Sequence, residues 1–133
     1  MSFWKPAARG AGSDDRASMM YSSFHHERRA LPIFKHRLQI LYAVEHFHVT
    51  VIVGETGSGK SSQIPQYLLE NGWTGNDFQV VVTQPRRVAA ISLAQRVAKE
   101  VGYSPKVGYT VRFDDQSGPQ TQIKYVTDGI LLQ

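Results

Sequence analysis

"VIVGETGSGKSSQIPQ", residues 51–66, is a short apolar run that stops at a glycine, loops through two more and restarts with Lys60-Ser61-Ser62. Its spacing is Gly-x-x-x-x-Gly-Lys-Ser, from Gly54 through Gly59 to Lys60 and Ser61. A phosphate-binding loop has to follow a strand and open a helix, because a helix N-terminus leaves backbone N–H groups unpaired and aimed at an anion. Val51-Ile52-Val53 reads as the strand, and an amphipathic segment follows the loop. Gly54, Gly57 and Gly59 let the backbone curl without a Cβ in the way. Lys60 brings a point charge to the β and γ phosphates of a nucleotide, and the Ser61 hydroxyl is placed to ligate Mg²⁺.

Outward from the loop, "VTVIVGE" (49–55) and "FQVVVTQ" (78–84) read as buried strands. Apolar residues on both faces suit a parallel sheet. "KSSQIPQYLLENG" (60–72) reads as a helix closed by Gly72, and "RRVAAISLAQRVAKEVG" (86–102) as a second with Val88, Ile91, Ala94, Ala98 and Val101 on one face. "VGYTVRF" (107–113) and "IKYVTDG" (123–129) are two further strand candidates, flanking a turn at "DDQSGPQ". Strand and helix alternate, which predicts an α/β fold with a parallel core flanked by helices. Before the loop, Pro32 marks a helix start, and Phe34, Leu38, Leu41, Val44 and Phe47 recur at helical spacing. Pro65 falls inside the helix after the loop, where it removes a hydrogen bond at a cost of about 3 kcal/mol. Propensity does not explain it.

Residues 1 to about 27 are rich in Ala, Gly, Ser, Asp and Arg without a sustained period, and are expected to be a mostly disordered arm. The remainder, 28–133, is expected to be one compact unit. The 15 Lys and Arg against 11 Asp and Glu, a net charge of +4, permit a polyanionic partner without demanding one. With no cysteine there is neither a disulfide framework nor a thiolate metal site. No apolar run approaches membrane-spanning length, and the first residues lack the aliphatic stretch of a signal peptide, so the chain is expected to be soluble and not secreted.

A second constellation is "TQPRRVAA" (83–90). Arg86 and Arg87 stand where a strand ends and a helix begins, the wrong end for cations because the helix dipole is already positive there. An external anion such as a nucleic-acid phosphate, shared between the guanidinium groups and the free N–H donors, would account for them. Salt bridges to Glu55 or Asp128, or plain solvation, would account for them equally well on charge alone.

Taken together, "GETGSGKSSQIPQYL", "TQPRRVAA", "VGYTVRFDD" and "YVTDGILL" resemble, in this order and spacing, the DEAH-box RNA helicases, over about residues 31–132. The early "FWKP" followed by "LPIF" resembles a spliceosome-associated member. The resemblance implies a RecA-like P-loop NTPase domain that uses ATP, or other NTPs, with Mg²⁺. It places Gly54, Glu55, Thr56, Gly57, Ser58, Gly59, Lys60, Ser61 and Ser62 in the triphosphate loop, with Ser61 on the metal. Arg96, in "SLAQRVA", aligns with an arginine that stacks on the nucleotide base, and stacking on a π-face distinguishes bases poorly. Arg86 and Arg87 fall in a motif that contacts the RNA backbone, and Thr127, Asp128 and Gly129 match another on the RNA side. The resemblance also implies RNA and spliceosomal or other RNP proteins as partners, RNP remodelling in pre-mRNA splicing as the task, no membrane, and a nuclear location.

The family's Asp-Glu-Ala-His motif, which holds Mg²⁺ and positions the attacking water, does not occur in these 133 residues. The chain is therefore expected to be the N-terminal part of a helicase, an incomplete RecA-like domain without catalytic residues of its own and inactive alone. Two other readings compete: a self-contained small P-loop kinase or GTPase-like enzyme using Asp114 or Asp128 as its Mg²⁺-side acid, and a non-catalytic RNA-binding fragment.

Overall fold

The computed structural model describes residues 14–102 and 105–133. The order of elements is α1 (Asp14–Ala30), a 3-10 segment (Pro32–His36), α2 (Arg37–His46), α3 (Lys60–Glu70), β1 (Val80–Gln84), α4 (Arg87–Glu100), β2 (Val107–Val111), β3 (Asp114–Gln116), β4 (Ile123–Thr127) and α5 (Asp128–Leu131). Among the described residues four strands form one sheet in the order β1-β4-β2-β3. The α/β class expected from alternating patterns is present, but the sheet is mixed. β1, β4 and β2 run parallel, while β3 returns antiparallel on β2 with Val111 opposite Asp114.

β3 corrects the reading of "DDQSGPQ" as a turn. The turn lies earlier, at Arg112-Phe113, where Phe113 takes a left-handed conformation (φ 67°) at the second central position, the one at which a type II turn needs positive φ. Gly108 makes the hairpin possible, since a Cβ there would collide with the Gln116 carbonyl oxygen.

α4 lies across the sheet. Ala90, Ala94 and Val97 pack against Val111, Ile123 and Tyr125, all buried. Small residues on the helix admit the large ones on the strands, so the layers approach closely. A second cluster joins Ile33, Ile40 and Tyr67, and brings the 3-10 segment and α2 down onto α3.

Both helix faces inferred from periodicity need correction. On α4, Ala94 is buried and Ile91 and Val101 pack against the core as expected, but Ala90, Val97 and Glu100 complete the buried stripe and Val88 is exposed. Counting only apolar residues discards Glu100 and so rotates the face. Before the loop, Ile33 and Ile40 are buried while Leu38 and Phe47 are exposed. The cause is the 3-10 segment: three residues per turn over Pro32–His36 break the phase of a single 3.6-residue period.

The expected strand at 49–55 is not formed. Residues 51–55 pair with no strand among the described residues, and Val51 and Val53 are 83% and 92% exposed while Ile52 turns inward onto the second cluster. The alternation of a strand survives without its ladder. β1, whose one partner in the sheet is β4, is itself an edge.

Residues 1–13 of the expected disordered arm, including Phe3 and Trp4, lie outside the described residues. Its remainder is not without structure, since α1 begins at Asp14. Composition could not reveal this, because what secures α1 is a tertiary contact near its end. Buried Arg28 donates through Nε to Gln63 Oε1 (2.7 Å) and through Nη1 to Glu70 Oε1 (2.6 Å), both on α3.

Candidate functional site

The loop between the unpaired segment and α3 has the shape its glycines imply. Gly57 (φ 84°) and Gly59 (φ 99°) adopt left-handed conformations, and Gly59 is the N-cap of α3. A Cβ on Gly59 would press on Leu31, Ile33 and Gln63, so the loop is seated directly on the second cluster. The first intrahelical bond runs from Gln63 N–H to Gly59 O at 2.8 Å, which leaves the N–H groups of Lys60, Ser61 and Ser62 at the open mouth of α3. Lys60 Nζ donates to Gly54 O (2.5 Å), Glu55 O (2.9 Å) and Ser58 Oγ (3.3 Å). The ammonium thus bridges both ends of the loop.

A pocket of about 420 Å³ opens at this helix end, lined by Leu31, Thr56, Gly57, Gly59, Lys60, Ser61, Ser62, Leu93 and Arg96. It brings Arg96, one turn from the end of α4, to the same cavity as the glycine loop 36 residues earlier (96 against 60). Gly54, Glu55 and Ser58 face instead a neighbouring cavity of about 530 Å³, which Lys60, Thr56 and Gly57 also line, toward the 3-10 segment and Ile40. Ser61 is exposed, while Ser62 is buried and its hydroxyl is engaged with Gly59 O and Gln63 Nε2.

The other expected residues gather elsewhere. β1 and β4 are parallel neighbours with Gln84 opposite Thr127, so the chain emerges side by side toward Arg86-Arg87 and toward Thr127-Asp128-Gly129. Arg86 caps α4 in extended conformation and Arg87 is its first residue; both are exposed. Among the described residues neither forms an ion pair with Glu55 or Asp128. Thr127 caps α5, with Asp128 and Gly129 exposed beyond it. A shallow cavity of about 380 Å³ joins Thr127 and Gly129 to Arg112, whose guanidinium lies 4.9 Å from the Phe113 ring centroid. Arg112 was missed in the sequence because it sits in what reads as an apolar strand; an Arg beside a turn-forming aromatic was the available signal.

Tyr109 donates to Asp114 Oδ2 at 3.0 Å, and this bond, more than burial, holds its phenol above the ordinary value. Asp115 accepts from Ser117 and Thr110, which lowers its carboxyl below the usual range. Asp114 is therefore occupied in the hairpin, and neither Asp114 nor Asp128 lines the cavity that holds Ser61. Among the described residues no cluster of three His, Asp or Glu could hold a metal, and no helix is long and apolar enough to cross a membrane.

No protein-family model matches the chain. Three curated proteins are similar to it. It is 55% identical over 111 residues to the probable ATP-dependent RNA helicase DHX35 homolog of Caenorhabditis elegans, covering 80% of this chain and 15% of that protein. It is 46% identical over 150 residues to the probable ATP-dependent RNA helicase DHX35 of Homo sapiens, covering 98% and 21%. It is 49% identical over 131 residues to the pre-mRNA-splicing factor ATP-dependent RNA helicase prp22 of Schizosaccharomyces pombe, covering 96% and 11%. The chain thus spans about a fifth or less of the length of these relatives.

Proposed function

From a chain that belongs to the DEAH-box ATP-dependent RNA helicase family, we infer a nucleotide- and RNA-binding part of a helicase, the first portion of its RecA-like ATP-binding domain. In that reading residues 28–133 form the RecA-like portion and residues 1–27 an arm preceding it. The observation that carries it is the single pocket shared by Gly57, Gly59, Lys60, Ser61 and Arg96.

The residues fit a Mg²⁺-nucleotide. A cradle that a Cβ at Gly54 or Gly59 would crowd, and a lysine resting on its own loop oxygens, are what a triphosphate tail would require. Gly57, Gly59 and the amides of Lys60 to Ser62 would hold the phosphates, Ser61 the metal, and Arg96 the base. Magnesium would supply charge neutralisation on the phosphate oxygens when bound. Gly54, Glu55 and Ser58 give Lys60 its partners in the loop, and Thr56 lines the pocket beside Gly57.

RNA would lie along the sheet edge where Arg86, Arg87, Thr127, Asp128 and Gly129 emerge together, with Arg112 adding charge. Exposed cations at a helix N-terminus, without an acidic partner among the described residues, support phosphate contact over a structural salt bridge. For the whole protein, ATP hydrolysis coupled to RNA unwinding or RNP remodelling is the proposed activity, with ATP as the main nucleotide and other NTPs usable. Pre-mRNA splicing is its proposed setting, in the nucleus and with spliceosomal or other RNP proteins as partners. Support comes from the S. pombe relative's name. The Asp-Glu-Ala-His motif does not occur in these 133 residues, so hydrolysis is not assigned to them alone.

Titrating the chain with Mg²⁺-ATP, Mg²⁺-ADP and the Lys60→Ala variant tests the pocket. Binding that weakens sharply without Lys60 supports it. Equal affinity for both nucleotides and for the variant would refute the triphosphate site.

A further inference from the structure

Glu100 sits where a carboxylate gains least. It is 6% exposed, it is the last residue of α4, and it follows Arg96 by four residues. Burial penalises its charge, and the carbonyl end of a helix repels it. An acid placed after its basic partner is the weaker order for a helical pair. Helix stability therefore gives no reason for this residue.

The surrounding groups suggest what it does. Gln63 Nε2 (3.0 Å) and Gln66 Nε2 (2.6 Å), both buried on α3, donate to Glu100 Oε2. The orientation of Gln63 is fixed from its other end, because Arg28 Nε donates to its Oε1 at 2.7 Å, so the NH₂ must face Glu100. One carboxylate oxygen is thus held by two amides, and the other accepts from Arg96 Nε at 3.3 Å. Arg96 is the exposed member: its side chain is 59% exposed and lines the pocket beside Gly59 and Ser61. Bonding through Nε leaves the flat end of the guanidinium beyond the anchor.

We propose that Glu100 is a positioning residue for the nucleotide base, holding the Arg96 guanidinium plane over the pocket from an anchor fixed by Gln63 and Gln66. It touches neither phosphate nor metal. The proposal rests on the nucleotide reading of the pocket, and it assigns base affinity to a residue outside the cavity lining. A free arginine would lose rotamer entropy on stacking, whereas one anchored at Nε has already lost part of it.

The test compares ATP with inorganic tripolyphosphate, which has no base, on the chain and on the Glu100→Gln, Arg96→Ala and double variants, each with Mg²⁺. Glu100→Gln should weaken ATP about threefold to tenfold, the scale of one cation–π contact, and leave tripolyphosphate unchanged. In the Arg96→Ala background it should add nothing, so the cycle is fully coupled. ATP affinity unaltered by Glu100→Gln overturns the proposal. Equal loss for both ligands also overturns it, by showing that the substitution damages α3 and not the base contact. Should the parent chain bind neither ligand, the pocket reading itself fails and this proposal with it. If Glu100→Gln does not fold, Glu100→Asp takes its place: it keeps the charge but withdraws the anchor by one methylene, and should give an intermediate loss for ATP alone. No loss with that variant overturns the proposal.

Discussion

The Tyr125 hydroxyl, on β4, donates to the Ser61 carbonyl oxygen, on α3, at 2.8 Å. In a regular helix that oxygen would accept from the N–H four residues on, and that position is Pro65, inside α3. The proline that propensity could not explain therefore frees an acceptor, and a buried tyrosine from the sheet takes it. Replacing Tyr125 by Phe should cost about 1–3 kcal/mol, the range for stranding a polar partner. In a Pro65→Ala background the restored N–H can satisfy Ser61, and the cost should fall below about 1 kcal/mol. Urea denaturation of the four proteins checks this; equal costs in both backgrounds would remove Pro65 from the explanation.

Tyr125 also sets an alkaline limit. Burial, followed by the nearby Glu100 charge, holds its phenol well above the ordinary 10.0. Because the folded value is raised, the stability tied to the neutral phenol is complete below pH 10 and declines as the unfolded phenol ionises above it. Stability measured from pH 8 upward should therefore fall above pH 10, with a shallower slope for Tyr125→Phe.

Arg86 and Arg87 are exposed at the carboxyl edge of the parallel strands. Single-stranded RNA should bind with little sequence preference and more weakly as salt rises, and each arginine replaced by alanine should remove about one unit of the salt slope. Thermal melting should hardly move, since neither side chain is in an ion pair among the described residues. Variants that unfold without a separate loss of RNA affinity would return these residues to a structural role.

Amide exchange should divide the chain in a way its hydropathy does not. The amides of residues 51–55 have no ladder among the described residues and should exchange within the fast fraction. Those of β4, bonded to β1 and β2, should be among the slowest. Val51→Thr should change stability by under about 0.5 kcal/mol, whereas Val97→Ala, in the α4 core, should cost about 1–3 kcal/mol. Strong protection at Val51 would show a strand partner in solution.

The loop at 54–61 was legible because its function is encoded locally: three glycines and a lysine at fixed spacing need no knowledge of distant residues. So were α3, α4 and the three parallel strands, whose apolar runs mark them whatever they pack against. What escaped depends on separations that periodicity does not measure. Glu100 and Gln63 look like solvent-facing residues until their mutual bond is seen across 37 positions. β3 is made of Asp114, Asp115 and Gln116, which carry no strand signal and pair because the Phe113 turn returns them to β2. Val51 and Val53 differ in the opposite sense, having every mark of a buried strand but no neighbour in the sheet among the described residues.

Lys60 rests on two backbone carbonyls and a serine hydroxyl of its own loop. An arriving phosphate would accordingly exchange partners with an already engaged ammonium, in place of capturing one from bulk water. Exchange of this kind releases less heat per contact, yet it meets a cation whose tether and direction are settled beforehand. The lysine is thus a latch on its own loop: it ties Gly54 and Glu55 to Ser58 and resists collapse of the cradle, and in the proposed reading an anion would have to offer it better oxygens to release it.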